Sequence, residues 1–178
     1  MKHIRILGSS LITGLCLSVV SASNSAFTVT SPAFSQGKSI AKNHTCDGIG
    51  SSLPLTFGTP PAGTKSFAIL LWDDDAPAGL ASQWIVYDMP VKLTGLEAGV
   101  KDGANVQGFK QGKNTFGKLG YSALCPSKGG KMHHYYVDFY AINVASLGLP
   151  AGSSLNVVHA AIKRHKILES KLMGVYKR

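Results

Sequence analysis

The chain has 178 residues, of which 44% are hydrophobic and 15% are charged, and its formal net charge is +9 at pH 7. This length suits one domain with a single core and leaves no room for a second domain. The positive charge attracts anions in general. However, the basic residues are scattered and do not alternate with stacking aromatics along a stripe, which argues against a nucleic-acid-binding protein.

The first predicted element is a secretory signal peptide over residues 1–22. Two basic residues precede an apolar run, and small residues follow it up to Ala22 and Ala26. The run is shorter than the ~20 consecutive apolar residues that a membrane-spanning helix needs. Cleavage after Ala22, or as late as Ala26, removes both basic residues and leaves a single domain over residues 23–178 with a net charge of +7. We therefore expect a periplasmic or secreted protein without a transmembrane segment.

Cys46 and Cys125 are the two cysteines that remain after this cleavage. An even pair in an exported protein favours one disulfide, because the compartment is oxidising, and two buried free thiols are the alternative. A disulfide also removes Cys46 as a candidate thiol nucleophile.

Short apolar or alternating runs bounded by turn-forming residues dominate the rest of the chain, which predicts a mainly β protein. Residues 67–72 (FAILLW) form a continuous apolar run, as in a strand that is buried on both faces. Residues 84–89 (WIVYDM) form a second strand, and residues 134–142 (HYYVDFYAI) alternate most clearly, which favours a central strand. The stretch over residues 95–130 is long for a loop, and loops of that length are usually functional.

Asp73, Asp74 and Asp75 end the first of these strands and precede Ala76 and Pro77. Three adjacent like charges repel each other, so neighbouring groups must compensate them. One interpretation is a solvated turn in which Asp75 caps a short helical turn. A calcium loop is disfavoured, since proline and glycine occupy the alternate positions where oxygen ligands are needed.

His133 and Tyr135 share one face of the third strand, whereas His134 points to the other face and is expected to matter little for a site there. An imidazole and a phenol on one face offer two hydrogen-bond donors to a single oxyanion, and a packing histidine is the alternative. Adjacent strand histidines diverge, which disfavours zinc ligation. The chain lacks a G-x-S-x-G elbow and a complete phosphate-binding loop, so we predict no catalytic residue, no metal and no cofactor.

Helical periodicity appears after Ser153 and Ser154, either of which can cap a helix. Apolar residues recur at helical spacing over residues 155–162, and basic residues follow them. Residues 167–176 either continue this helix or return as an edge strand. The strand is favoured, because the residues from Gly174 onward are poor helix formers.

Several short motifs occur in a fixed order along the chain. They are residues 45–48 (TCDG), 61–68 (PAGTKSFA), 73–77 (DDDAP), 84–87 (WIVY), 114–121 (NTFGKLGY), 125–126 (CP), 133–135 (HHY), 140–141 (YA) and 172–176 (LMGVY). In this order the motifs resemble the phosphatidylethanolamine-binding protein family, in its bacterial, Raf-kinase-inhibitor-like (YbhB/YbcL-like) branch. The resemblance spans nearly the whole mature chain, and the ordered set is far more specific than any one motif.

The resemblance implies a central antiparallel β-sheet with a smaller second sheet and a C-terminal helix. It also implies a small anion pocket in which His133 and Tyr135 donate to phosphate oxygens, while Asp73 orients a histidine or meets an ammonium group. A cis peptide bond between Ala76 and Pro77 is expected. By position, the implied ligand-binding residues are Asp73, Ala76, Pro77, Gln83, Tyr121, Pro126, His133 and Tyr135.

Two positions depart from the family's pattern. Gln83 stands where the family usually has a histidine, and a carboxamide donates hydrogen bonds but cannot become cationic, so we expect weaker and less pH-dependent anion binding. Residues 123–127 (ALCPS) replace a rim that is richer in proline and glycine. The change reshapes the pocket mouth and weakens the expectation that the ligand is phosphatidylethanolamine itself.

The sequence therefore predicts an exported, non-catalytic binding protein for a phosphoryl-bearing or carboxylate ligand, such as a phospholipid headgroup, that acts on a partner protein. The alternative is an exported inhibitor of a protease or another enzyme, with a vestigial pocket. A hydrolase that uses His133 as general base and Asp73 as its orienting group is disfavoured, because no nucleophile or metal-ligand set accompanies them.

Overall fold

A computed structural model describes residues 26–178, so the predicted signal peptide over residues 1–22 lies outside the described residues. The described residues form two antiparallel β-sheets and one α-helix, α1 (Leu155–His165), with a short 3-10 turn at Lys42–His44. The strands are β1 (Val29–Thr30), β2 (Leu55–Phe57), β3 (Ser66–Asp73), β4 (Ala81–Pro90), β5 (Gly95–Leu96), β6 (Asn105–Val106), β7 (Phe109–Gln111), β8 (His133–Ile142) and β9 (Lys166–Tyr176).

The larger sheet has six strands in the order β6-β7-β4-β3-β8-β9, and the smaller sheet has three in the order β1-β2-β5. The predicted strands over residues 67–72, 84–89 and 134–142 lie within β3, β4 and β8. β3 pairs with β4 on one side and β8 on the other, which places it at the centre of the larger sheet. This position explains its continuous apolar run, since neither edge nor face of β3 meets solvent.

Two hydrophobic cores cover the two faces of the larger sheet. Phe67 and Leu71 point into the core shared with the smaller sheet, whereas Leu70 points into the core beneath the helix. The helix contributes Val158 and Ile162 to this second core, and both are fully buried. Burial of each such side chain stabilises the fold by ~1.5–3 kcal/mol relative to exposure.

The structure confirms the predicted fold class, which is mainly β with two sheets and a C-terminal helix. β9 pairs with β8 along its whole length, from Tyr176 opposite His133 to Lys166 opposite Ile142, so the strand prediction for residues 167–176 is confirmed. Three short strands, β5 to β7, interrupt the stretch that we expected to be a long loop. Among residues 26–178, none of the helices combines the length and apolar character needed to cross a membrane.

Three strand ends meet at one edge of the larger sheet. β3 ends at Asp73, while β4 and β8 begin at Ala81 and His133. Because neighbouring strands run antiparallel, the end of one lies beside the start of the next. Asp73 accordingly pairs with Ala81 on one side and with Tyr135 on the other. This edge gathers residues that the sequence places far apart.

Candidate functional site

A cavity of about 310 Å³ opens where β3, β4 and β8 meet. Its volume lies at the lower end of the range for small-molecule sites. Six of the eight residues implied by the family resemblance line this cavity. They are Asp73, Ala76, Pro77, Gln83, Pro126 and His133.

His133 is one of the buried residues of this cavity, with a relative exposure of 7%. Its Nδ1 lies 2.8 Å from Oδ2 of Asp73. Because a carboxylate only accepts hydrogen bonds, Nδ1 carries a proton and donates it. The other oxygen of Asp73 accepts from the backbone N–H of Asp75 at 3.0 Å. Asp73 thus fixes the ring of His133, and Nε2 is the ring atom that remains for a ligand.

Gln83 reaches the cavity through a β-bulge in β4. Trp84 pairs with Leu71 and Ser82 pairs with Trp72, so Gln83 is an extra residue between two paired positions. Its side chain is buried, with 3% exposure, and its Oε1 has no hydrogen-bond partner among the described residues. A buried amide oxygen left unpaired costs ~1–3 kcal/mol, and a donor on a ligand or a water molecule removes that cost.

Tyr135 and Tyr121, the other two implied residues, do not line the cavity. The Tyr121 hydroxyl donates to the main-chain carbonyl of His44 at 2.7 Å. Tyr135 stacks beside His133, with ring centres 6.3 Å apart, and its buried hydroxyl has no hydrogen-bond partner within the described part of the chain. Burial, and then the negative charge of Asp73, raise the pKa of Tyr135 far above its usual value. Its phenol therefore stays protonated in the wall behind His133.

Neighbouring groups compensate two of the three aspartates, Asp73 and Asp75, whereas Asp74 is exposed to solvent. Asp73 pairs with His133, and Asp75 accepts from both the backbone N–H and Nδ1 of His134, at 2.9 and 2.6 Å. Lys131 adds an ion pair to Asp75 at 3.0 Å. These hydrogen bonds, from His134 first and then Lys131, hold the pKa of Asp75 well below its usual value. His134 points away from the cavity but anchors the turn that forms its wall.

The expected cis bond between Ala76 and Pro77 is wrong, since residues 26–178 contain no cis peptide bond. The backbone N–H of Gly79 donates to the carbonyl of Ala76 at 2.9 Å and closes a four-residue turn. Pro77 occupies the second position of this turn, which suits a trans proline, and Gly79 adopts a φ of 91° that favours glycine. Ala76 to Gly79 therefore form a short turn that contains a trans proline.

Asn114 organises a cavity loop, and reasoning from the sequence missed it. Its Nδ2 donates to the Gln83 carbonyl at 3.1 Å and to Oγ of Ser122 at 2.8 Å. Its Oδ1 accepts from the backbone N–H groups of Phe116 and Lys118, both at 3.0 Å. One buried amide thus ties this loop to β4 and places Phe116, which is 62% exposed, on the cavity rim. In the sequence, its position at the start of the N-T-F-G motif was the feature that could have identified it.

The disulfide between Cys46 and Cys125 forms part of another wall, and the predicted bridge is confirmed. It joins residues 79 positions apart, with a Cα–Cα distance of 5.3 Å. Cys125, Pro126 and Ser127 line the cavity directly after the buried Leu124. The rim over residues 123–127 is therefore covalently joined, through Cys125, to the N-terminal part of the domain.

The cavity lining contains apolar groups and few charges. Neither lysine nor arginine lines it among the described residues, so a positive charge inside the cavity arises only by protonation of His133. Within residues 26–178, no three His, Cys, Asp or Glu side chains gather in a group that could hold a metal ion.

Comparisons with known proteins match most of the chain. The sequence model of the phosphatidylethanolamine-binding protein family matches residues 30–177. A UPF0098 protein from Aquifex aeolicus is 36% identical, covering 97% of this chain and 99% of that protein. The UPF0098 protein YbcL of Escherichia coli is 35% identical, covering 92% of this chain and 94% of that protein.

Solved structures agree with the sequence comparison. The crystal structure of Escherichia coli YbcL, described as a new member of the mammalian PEBP family, superposes with a TM-score of 0.79 at 31% identity, covering 85% of this chain and 98% of that chain. A PEBP homologue from Chlamydia trachomatis superposes with a TM-score of 0.78 at 34% identity, covering 86% and 99%. The family-model match, the relatives and the superposed structures together show that the chain belongs to the phosphatidylethanolamine-binding protein family.

Proposed function

We propose that this chain is an exported binding protein that holds the phosphoryl or carboxylate group of a small ligand against His133. The observation that carries the proposal is the buried Asp73–His133 pair at 2.8 Å in the lining of the cavity. Because Nδ1 of His133 is committed to Asp73, a second proton on Nε2 makes the ring an imidazolium whose charge Asp73 balances. That N–H donates a charge-assisted hydrogen bond to an oxyanion.

The rest of the lining supports a ligand with one polar end. Gln83 presents an amide to the cavity, while Ala76, Pro77, Phe116 and Pro126 present apolar surface. A phosphate ester or an organic carboxylate satisfies both kinds of group, since its oxygens meet His133 and its organic part covers the apolar wall. The signal-like segment and the disulfide support export, because disulfides persist in oxidising compartments.

We propose binding without turnover. A histidine held by an aspartate forms two members of a hydrolytic triad, and the third member is a hydroxyl on the free ring nitrogen. In this cavity Ser122 Oγ instead accepts from Asn114, and none of the hydroxyls in the described part of the chain hydrogen-bonds to His133. The arrangement therefore supports holding an anion rather than attacking it.

An NMR titration tests this proposal. Phosphate, phosphoethanolamine and acetate are added in turn to the isotope-labelled mature protein, with chloride at equal ionic strength as the control. We expect shifts that saturate and cluster at Asp73, Gln83, Pro126-flanking amides and His133. Shifts that match those of chloride would overturn anion binding, and release of inorganic phosphate from phosphoethanolamine would overturn binding without turnover.

A further inference from the structure

The disulfide lies where an external thiol can reach it. Both Cys46 and Cys125 are exposed, although the chain segments on either side of them contain buried residues such as Thr45 and Leu124. Cys125 also lines the cavity. The bridge is therefore a surface feature of the cavity wall, in contrast to a disulfide enclosed in a core.

The two sulfur atoms have different electrostatic surroundings. Nη1 of Arg178 lies 3.3 Å from Sγ of Cys125. Arg178 is itself held in place, because its Nη2 pairs with Oδ1 of Asp47 at 2.9 Å and Asp47 also accepts from the Tyr176 hydroxyl at 2.7 Å. A guanidinium ion stabilises a neighbouring thiolate. The contact thus favours negative charge on the sulfur of Cys125.

Cys46 has the opposite neighbour, since Asp47 follows it directly in the chain. Hydrogen bonds from Tyr176 and then Arg178 lower the pKa of Asp47, which keeps this carboxylate ionised. Among the described residues, no cationic side chain hydrogen-bonds to the sulfur of Cys46, whereas Arg178 does so to the sulfur of Cys125. When the bridge opens, the electron pair is therefore better placed on Cys125 than on Cys46.

The two segments also stay together without the bridge. The backbone N–H of Cys46 donates to the Leu124 carbonyl at 3.2 Å, and the Leu124 N–H donates to the His44 carbonyl at 3.3 Å. The Tyr121 hydroxyl donates to the same His44 carbonyl at 2.7 Å. These bonds keep the two sulfurs close after reduction, so the bridge can close again.

We propose that the Cys46–Cys125 disulfide is a reversible thiol–disulfide exchange site with a fixed polarity, in which an external thiolate attacks Cys46 and Cys125 leaves. In the first step, the sulfur–sulfur bond breaks, its electron pair passes to Cys125 Sγ beside Arg178, and a new bond joins Cys46 to the attacking sulfur. In the second step, another external thiolate attacks the bound external sulfur and releases Cys46, which takes a proton from water. Two external thiols are oxidised to one disulfide, and the protein disulfide is reduced to two thiols.

This site is distinct from the proposed anion contact at His133 and does not depend on it. Its chemical partner is a low-molecular-weight thiol or a dithiol protein. Because Cys125 directly precedes Pro126 in the cavity lining, the first step releases one tether of that wall.

Adduct mapping tests the polarity on the wild-type protein. The oxidised mature protein is mixed with glutathione, quenched in acid at short times, alkylated, and digested for peptide mass analysis. We expect glutathione on Cys46 and the alkyl label on Cys125, in a ratio on the order of 10 to 1. Equal labelling of both cysteines, or glutathione mainly on Cys125, would overturn the proposal.

The role of Arg178 is tested by the rate of the first step. Arg178→Gln should slow it by on the order of 3- to 10-fold, while Arg178→Lys, which keeps a positive charge, should slow it less. Lys177→Gln is the matched control, because Lys177 is an exposed neighbouring cation. Thermal unfolding confirms that each variant is folded. If Lys177→Gln and Arg178→Gln slow the step equally, general attraction of the anionic thiolate explains the rate and the assigned role of Arg178 is wrong.

Discussion

At the scale of single residues, the cavity combines a histidine paired with an aspartate and a neutral amide side chain. His133 is fixed by Asp73, whereas the Oε1 of Gln83 has no hydrogen-bond partner among the described residues. The two residues line the same cavity. In the proposed anion contact, we therefore expect the neutral Gln83, rather than His133, to limit the affinity.

Replacing Gln83 with histidine tests this asymmetry. Gln83→His adds a group that titrates near neutral pH, so phosphate binding should strengthen by ~1 kcal/mol or more below neutral pH and by less above it. Gln83→Leu is the control, since it fills a similar volume without a donor and should weaken binding at both pH values. Calorimetric titration with phosphate gives the affinities. Binding by Gln83→His that is no tighter than wild type would show that position 83 does not face the anion.

Asp75 gives a residue-scale prediction about acid stability. Its pKa is lowered in the folded protein by hydrogen bonds from His134 and then Lys131. The ionised Asp75 therefore contributes to the free energy of unfolding above the pKa it has in the unfolded chain. This contribution is lost as the pH falls through its pKa in the folded protein. Asp75→Asn should therefore destabilise the protein at pH 7, and its difference from wild type should shrink below about pH 4. Denaturant unfolding of wild type and Asp75→Asn between pH 7 and acidic pH measures this difference in the free energy of unfolding. Asp74→Asn removes an exposed neighbouring charge, and an equal effect of both variants would contradict the account.

At the scale of elements, the β-bulge in β4 decides which side chains enter the site. The alternation of residues 134–142 is preserved in β8, where Val137 and Phe139 point into one core and Tyr140 points into the other. The bulge at Gln83 was not predictable from alternation, because one inserted residue changes the phase without changing the composition. The prediction of a cis bond between Ala76 and Pro77 was wrong for a related reason, since the geometry of this turn depends on the local hydrogen bond from Gly79 to Ala76.

The β6–β7 hairpin carries an element-scale prediction. Val106 pairs with Phe109, and the two residues between them, Gln107 and Gly108, have φ values of 54° and 84°. A two-residue turn with both φ values positive favours asparagine followed by glycine. Gln107→Asn should therefore raise the free energy of unfolding by ~0.5–1 kcal/mol.

The adjacent glycine supplies the control for this hairpin. A Cβ atom at Gly108 meets nothing within 4 Å, so Gly108→Ala introduces backbone strain without a clash. It should lower the free energy of unfolding by ~1 kcal/mol. Urea unfolding of both variants gives the sign of each change in the free energy of unfolding. A stabilising Gly108→Ala would contradict the turn geometry.

At the scale of the whole molecule, the smaller sheet and the disulfide hold the N-terminal part of the domain against the cavity edge. The ordered sequence motifs predicted the family, and through that resemblance the two-sheet fold, whereas the even cysteine number in an expected exported protein predicted the bridge. They did not separate Tyr121 and Tyr135 from the cavity lining, since that depends on the packing of each ring: the Tyr121 hydroxyl donates to the His44 carbonyl, and the Tyr135 hydroxyl is buried without a partner among the described residues. Six implied residues reach the cavity because three strand ends meet there.

The disulfide carries a prediction about global stability. Its loop spans 79 positions, and loop-closure entropy gives a stabilisation of ~4 kcal/mol. The double variant Cys46→Ser with Cys125→Ser should unfold at lower denaturant concentration while keeping the wild-type far-ultraviolet circular dichroism. Thiol labelling of the denatured, unreduced mature protein, which begins after the predicted signal peptide, should find no free sulfhydryl. Two labelled thiols would contradict the bridge.

The central claim is that His133 binds an anion through Nε2, and His133→Asn tests it most directly. An asparagine amide can replace Nδ1 as the donor to Asp73, so the buried carboxylate stays paired while Nε2 is lost. His165→Ala is the control, since His165 is a partly exposed histidine outside the cavity lining. Calorimetric titration with phosphate should show binding weakened by ~1.5–3 kcal/mol in His133→Asn and unchanged in His165→Ala. Wild-type affinity in a folded His133→Asn variant would contradict the claim.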